Sequence, residues 1–404
     1  MSNEISENRL GKTVIALGFV SLFTDTASEM VYTQIPLFLT GMLGAPNWVV
    51  GLIEGVAESA ASLFRLVSGW ISDRTGSRKP LTVAGYGLGA ISKPLMALAH
   101  VWPVVLALRF LDRFGKGLRT APRDALIAET TPAAIRGRAF GLHRAMDTTG
   151  AVMGPLLGFW FLHEVSPDVR NLFLFAGLPG LIAVGVLLIF VRETTSPRPD
   201  AKSSGTASGI RLPRWRDLHP TYRRFLLITL LFNLGNSSDA FLILRARSVG
   251  FQPTEMLLLY AAFNLVEAVL GYAAGHLSDR IGRKPMIVAG YALFALVYLG
   301  FAFVSSKPAI WALFLLYGGY YTLTQGTQRA YAADLADPAQ RATQIGAYHT
   351  VVGLALLPAN IVAGLLFDRN NAAPFVVGAF LAGVSAILLV VLRPLTSATN
   401  ADYS

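Results

Sequence analysis

Ser72-Asp73-Arg74-Thr75-Gly76-Ser77-Arg78-Lys79-Pro80 is followed, roughly 206 residues later, by Ser278-Asp279-Arg280-Ile281-Gly282-Arg283-Lys284-Pro285. Each copy lies between two long apolar runs, and the runs that follow share Val-Ala-Gly-Tyr, at 83–86 and 288–291. A polar phrase repeated at half-chain distance marks a duplicated unit, so the chain should fold as two similar halves. In each copy a glycine permits a tight reversal between helices, and the aspartate can accept bonds from arginine or a helix N-terminus.

The medium follows from composition. Of 404 residues, 53% are hydrophobic and only 14% charged, with mean hydropathy +0.51. A soluble chain of this length carries more charge. The apolar residues fall into runs near the length that crosses a hydrocarbon core, about 20 residues. Twelve spans are expected, near 12–43, 47–71, 79–99, 102–125, 137–163, 170–191, 221–246, 253–277, 284–304, 307–333, 341–367 and 373–393. Lipid offers backbone groups no water, so each span should be a helix. The expected fold is an all-α membrane protein: two pseudo-symmetric six-helix bundles, 1–191 and 221–404, joined by an Arg-, Pro-, Ser- and Gly-rich linker, 192–220.

Basic residues set the expected orientation. Arg74, Arg78, Lys79, Arg136, Arg138, Arg280, Arg283 and Lys284 all fall on one side, against Arg170, Arg245, Arg247, Lys307 and Arg369 on the other. Excess positive charge marks the cytoplasmic face, which places both termini inside, in a bacterial inner membrane. The net charge of +10 then implies no nucleic acid partner. The first eleven residues lack an apolar segment and a cleavage site, so no removable signal is expected. Cysteine is absent, which excludes disulfides and thiolate chemistry.

Gly275-His-Leu-Ser-Asp279-Arg-Ile-Gly282-Arg-Lys284 resembles the signature loop of the major facilitator superfamily, and residues 69–79 match it with one extra residue. Arg113-Phe-Gly-Lys116-Gly117 in span 4 is similar to the family's second motif, although the family usually has Gln at the place of Lys116. Gly150-Ala-Val-Met-Gly154-Pro155-Leu-Leu-Gly158 in span 5 resembles the motif associated with antiporters. The resemblance implies the twelve-helix fold, transport by alternating access, and gating by Asp73, Arg74, Arg78, Asp279, Arg280 and Arg283. It also implies that spans 1, 4, 7 and 10 line the substrate cavity.

Ionisable residues at mid-membrane cost roughly 2.5–3.5 kcal/mol on insertion scales, so each needs a reason. Asp25 and Glu29 share a face of span 1; Glu54, Glu58 and Arg65 share a stripe of span 2. In span 4, Arg109, Asp112, Arg113, Lys116 and Arg123 follow steps of three and four; His143, Arg144 and Asp147 cluster in span 5. At the same offset in the second half, Glu54 aligns with Tyr260, Glu58 with Asn264, Arg113 with Gly319 and Asp147 with Gly353. The second half thus keeps polar positions and drops most charge. Proton coupling is therefore expected from Asp25, Glu29, Glu54, Glu58 and Asp147, with Arg113 as a switching partner. Substrate contacts are expected from Tyr32, Gln34, Arg109, Arg113, Asn233, Asn236, Asp239, Gln325 and Gln328.

The chain has no P-loop, no His-Glu-x-x-His and no nucleophile-base constellation, so neither an enzyme nor a cofactor is expected. The expected function is a proton-coupled antiporter exporting a small organic compound, anionic or zwitterionic in view of the basic stripe. The expected partners are that compound, protons and the lipid bilayer, and the expected state is a monomer. Two alternatives share the fold: a divalent-metal transporter using Asp25, Glu29, Glu54 and Glu58 as oxygen ligands, and a proton-symport importer.

Overall fold

The computed structural model describes residues 10–193, 215–337 and 341–392. Most of the expected linker lies outside these residues, as does nearly all of the polar N-terminal segment. Among the described residues the chain is helical throughout, without strands. It forms an all-α membrane protein of twelve spans in two pseudo-symmetric bundles.

Spans 1 to 6 are Lys12–Tyr32 continued by Gln34–Leu37, then Asn47–Thr75, Lys79–Met96, Trp102–Glu129, Arg136–Trp160 and Val169–Phe190. Span 7 is broken into Pro220–Gly235 and Ala240–Ser248; spans 8 to 12 are Pro253–Ile281, Arg283–Phe303, Lys307–Leu335, Arg341–Arg369 and Ala373–Val391. In the first bundle, span 1 packs on 5 and 6, span 4 on 2 and 3, and span 3 on 6. The second bundle repeats these partnerships: 7 on 11 and 12, 10 on 8 and 9, 9 on 12. Two long seams join the bundles, span 2 with 11 and span 5 with 8.

Among the described residues, by length and composition alone, spans 1, 6, 7, 8, 9, 11 and 12 are apolar enough to cross a membrane. The other five include the four consecutive spans 2 to 5, which hold most of the charge. Their polar side chains turn toward one another and toward the centre of the molecule, which is how a charged helix is accommodated among lipid-facing ones.

The duplicated phrase performs duplicated work. Gly76 and Gly282 have φ of 67° and 91°, backbone that favours glycine, and each ends the preceding long helix. Arg78 reaches Glu129 at the end of span 4 at 3.1 Å, and Arg283 reaches Asp334 at the end of span 10 at 2.5 Å. Lys79 donates to the Leu188 carbonyl at the end of span 6, and Lys284 to Val390 and Leu392 at the end of span 12. A cation there satisfies carbonyls that have no partner within the helix. Arg78 also pairs with Asp73 at 2.6 Å. These bonds stay within one bundle. Arg74 lies over the Trp70 ring, while Asp279 and Arg280 are exposed at the end of span 8. We call the side carrying both loops the basic side, and the other the far side.

The glycine stripe of span 5 is a packing surface. A Cβ at Gly150 would collide with the Leu22 carbonyl; at Gly154 it would lie 2.6 Å from Thr26 O, and at Gly158 3.0 Å from Met30 O. Only glycine lets spans 1 and 5 approach this closely.

Candidate functional site

Between the bundles lies a cavity of about 800 Å³. Its inner end is formed by Tyr32, Ser238, Asp239 and Tyr260; its outer wall reaches Arg123, Asp124, Arg329 and His349 near the basic side. The far side is sealed. Tyr32 Oη lies 3.3 Å from Ser238 Oγ, and Gln34 Nε2 donates to the Pro253 carbonyl at 3.0 Å. Asp368, from the end of span 11, accepts from the backbone N–H of Asn47 and Trp48 at 2.9 and 3.1 Å. One bundle therefore caps the helix N-terminus of the other.

The break in span 7 follows from its sequence. Asn236-Ser-Ser-Asp239 is a run of residues that prefer caps and turns to helix interiors. The freed Ser238 N–H donates to Asn360 Oδ1 at 2.6 Å, and Ser238 Oγ accepts from Ala240 N–H. Asp239 thereby enters the cavity at the start of the second helical segment.

The acids divide into two groups. Glu54, only 2% exposed, accepts from Arg109 through both carboxylate oxygens at 2.7 and 2.9 Å. Asp112 pairs with Lys93 at 2.9 Å and with Arg109 at 3.6 Å. Arg113 lies 3.3 Å from Glu58 and 3.9 Å from Asp112. These six groups form a chain of ion pairs with no net charge, running from Glu58 on the cavity wall to the buried Lys93.

In the second group, Asp25, Glu29 and Asp239 make no ion pair among the described residues. Glu29 lines the cavity, and its Oε2 is buried without a hydrogen-bond partner. Asp25 faces Asp147, which itself accepts from Ser21 at 2.7 Å and pairs with Arg144 at 3.3 Å. Asp239, 8% exposed, accepts from the hydroxyls of Tyr317 at 2.7 Å and of Tyr260 and Tyr321 at 3.4 Å.

Of the expected coupling residues, Asp25, Glu29, Glu58, Arg113 and Asp147 line the cavity and Glu54 does not. Of the expected substrate contacts, Tyr32, Asn233, Asn236, Asp239, Gln325 and Gln328 line it with Arg113. Gln34 is instead part of the far-side seal, and Arg109 lies behind Tyr32, held by Glu54. Sequence reasoning missed the tyrosines at 260, 317, 320 and 321 and the buried Lys93. The Tyr317-Gly-Gly-Tyr-Tyr321 cluster was the available signal. Across the seam of spans 5 and 8, Arg144 pairs with Glu267 at 2.7 Å and Asn264 donates to the Ala151 carbonyl at 2.9 Å. Among the described residues, no group of acids or histidines converges as a metal site would require. The acids of the divalent-metal reading are divided, with Glu54 turned to Arg109 and Glu58 to Arg113.

The buried chain of ion pairs gives a stability prediction. Lys93→Met leaves Asp112 short of a cation inside the bundle, and breaking such a pair costs about 3–5 kcal/mol. Thermal unfolding in detergent should show a lowered midpoint, and Lys93→Met with Asp112→Asn together should recover most of it. A single variant as stable as the parent would mean that Lys93 is dispensable.

The family model described as Major Facilitator Superfamily matches residues 17–357 and 225–402. The chain is 35% identical to "Uncharacterized MFS-type transporter MJ1317" of Methanocaldococcus jannaschii, over 96% of each chain. It is 28% identical to "Multidrug resistance protein MdtH" of Cronobacter sakazakii, over 92% of this chain and 90% of that one. Among solved structures, the human organic anion transporter MFSD10 superposes with a TM-score of 0.69 at 18% identity, covering 94% of this chain and 99% of its own. The nucleoside transporter NupG superposes with a TM-score of 0.75 at 14% identity, covering 94% and 98%. At such identities the likeness concerns the fold. The full-length family match and the relative at 35% identity go further: the chain belongs to the major facilitator superfamily of membrane transporters.

Proposed function

We propose that this transporter is a proton-coupled antiporter that exports a small organic compound by alternating access. The observation that carries the reading is Glu29, a carboxylate on the cavity wall that makes no ion pair among the described residues and has one oxygen without a hydrogen-bond partner there. Such a group can take up and release a proton without first breaking an ion pair. Its neighbours supply the switch: Lys116 and Arg113 lie on one side of it and Asp239 on the other, across the bundle interface. When the bundles rock, the distance from Glu29 to Asp239 must change, and with it the affinity of Glu29 for a proton.

The basic side is read as cytoplasmic from its lysines and arginines, in a bacterial inner membrane, with both termini there and a monomer as the working unit. The cavity then faces the cytoplasm and the far-side seal is closed, the arrangement in which an exporter loads its cargo. The likeness to a multidrug resistance protein over most of both chains supports export. The halves 1–191 and 221–404 rock about the two seams, with 192–220 as tether. Asp73, Arg74, Arg78, Asp279, Arg280 and Arg283 are the proposed gating residues of the basic side, which must close when the far side opens. Arg65, Lys116 and Arg329 line the cavity without ion pairs, which favours a cargo that bears an acidic group.

Reconstitution tests this directly. Proteoliposomes holding a pH-sensitive dye, screened against a compound library, should show proton movement that depends on the cargo and runs opposite to it. Cargo accumulation with no accompanying proton movement would remove antiport. Co-directional movement would make the protein a symporter.

A further inference from the structure

The cavity has two chemically different ends. At the sealed end, Asp239 is a carboxylate without a cation, and the rings of Tyr32, Tyr260, Tyr320 and Tyr321 stand around it on the cavity wall. Successive ring centroids lie close together, 5.2 Å from Tyr32 to Tyr260 and 5.3 Å from Tyr320 to Tyr321, the latter pair nearly perpendicular at 82°. Glu29 adds a second unpaired acid facing the same space. Behind this wall Arg109 lies 5.8 Å from the centroid of the Tyr32 ring and is held by Glu54, and Arg113 on the cavity wall is turned to Glu58. Toward the basic side the character reverses. Arg65 of span 2 and Arg329 of span 10 approach one another from opposite bundles, and neither has an ion-pair partner among the described residues. Arg65 Nε is moreover buried without a hydrogen-bond acceptor.

We propose that the sealed end is a binding site for an organic ammonium group, with Asp239 as its counter-ion and the four tyrosines as its walls, and that the exported compound is a zwitterion whose acidic end faces Arg65 and Arg329. A carboxylate and several aromatic faces are what recognise an alkylammonium in a site shielded from water. The three tyrosine hydroxyls that now donate to Asp239 hold its carboxylate in place until the cation arrives. Two unpaired arginines at the other end would then receive a carboxylate, sulfonate or phosphate by charge-assisted bonds. A purely anionic cargo would give Asp239 no cation to pair with. A purely cationic one would give Arg65 and Arg329 no acidic group to bind. This deepens the export reading above and rests on its choice of cavity.

Matched probes test the site separately from transport. Phenethylamine, 3-phenylpropionate and 3-[4-(2-aminoethyl)phenyl]propionate present the same ring with a cation, with an anion, and with the two at opposite ends. Binding to the purified full chain in lipid nanodiscs, followed by saturation-transfer NMR, should favour the zwitterion over either half by about tenfold. Asp239→Asn should remove the advantage of the zwitterion over the anion, and Asp239→Glu should restore it. Arg65→Gln with Arg329→Gln should remove the advantage over the cation. Equal binding of anion and zwitterion, undetectable binding of the amine, or an Asp239→Asn chain with unaltered preference would overturn the proposal. Ammonium-dependent binding in a chain that moves no protons would support this site while removing antiport.

Discussion

Gly51→Leu is expected to abolish transport and to leave the cavity open to the far side. A Cβ at this position would collide with the Asn360 carbonyl oxygen and stand 2.7 Å from its carbon, both backbone atoms of the opposite bundle. Backbone cannot rotate away as a side chain does, so the seam between spans 2 and 11 must part. The same seam is tight along its length: a Cβ at Gly364 would lie 2.6 Å from the Asn47 carbonyl oxygen, and one at Gly353 2.8 Å from Ser62 Cβ. Opening it also strips the N-terminus of span 2 of its Asp368 cap, and removing an N-cap partner costs about 1 kcal/mol. Overpacking adds about 1–3 kcal/mol more. A total of a few kcal/mol against one conformer is enough to shift a two-state equilibrium by two to three orders of magnitude. The natural absence of cysteine makes the measurement simple. With Thr120→Cys placed on the cavity wall, a membrane-impermeant thiol reagent should label the parent from the basic side, and Gly51→Leu should lose most of that labelling. Gly51→Ala, which adds only the Cβ, should show the same direction with partial activity. Labelling from the basic side at the parental rate in both variants would show that the seam is not what closes the far side.

Much of this was legible in the sequence, and the reasons differ by element. The duplicated phrase around Asp73 and Asp279 announced the two bundles because each function it performs is local. Gly76 and Gly282 turn the chain, and Arg78, Lys79, Arg283 and Lys284 reach the ends of neighbouring helices in the same half. The glycine stripe at 150, 154 and 158 announced a close helix contact, though not that span 1 was the partner. Helical spacing put Glu54 and Glu58 on one stripe and Arg109 and Arg113 on another, and of these four Glu58 and Arg113 line the cavity. It could not say which acid meets which base, since that depends on distances between helices far apart in sequence. Glu54 and Glu29 looked alike as acids on the charged stripes of spans 2 and 1, yet one is clasped by Arg109 and the other makes no ion pair among the described residues. Asp239 was visible as a polar contact, but its tyrosine surround comes from spans 8 and 10 and forms only when those spans meet the break in span 7. Lys93 was passed over because a single lysine in an apolar helix gives no periodic signal; its partner Asp112 lies in the next span.

The second large effect concerns Glu29. Glu29→Gln is expected to reduce cargo-driven proton movement below detection while cargo binding changes by no more than a few-fold. Glutamine keeps the size and hydrogen-bonding outline of the protonated side chain and cannot ionise. If Glu29 carries the proton, the variant still rocks with cargo bound, so exchange of labelled for unlabelled cargo across the membrane should persist. Net export against a gradient should stop. Glu54→Gln provides the contrast. That change deprives Arg109 of its bidentate partner inside the bundle, so its consequence should be a lowered unfolding temperature, by the same cost of about 3–5 kcal/mol for a broken buried pair. A carrier and a structural acid thus separate in one pair of variants, one failing in coupling and the other in stability. Proton movement at the parental rate in Glu29→Gln would transfer the role to the facing carboxylates Asp25 and Asp147, the remaining site on this wall where one proton can be shared between two acids. Asp25→Asn would then have to show the uncoupled exchange that Glu29→Gln did not.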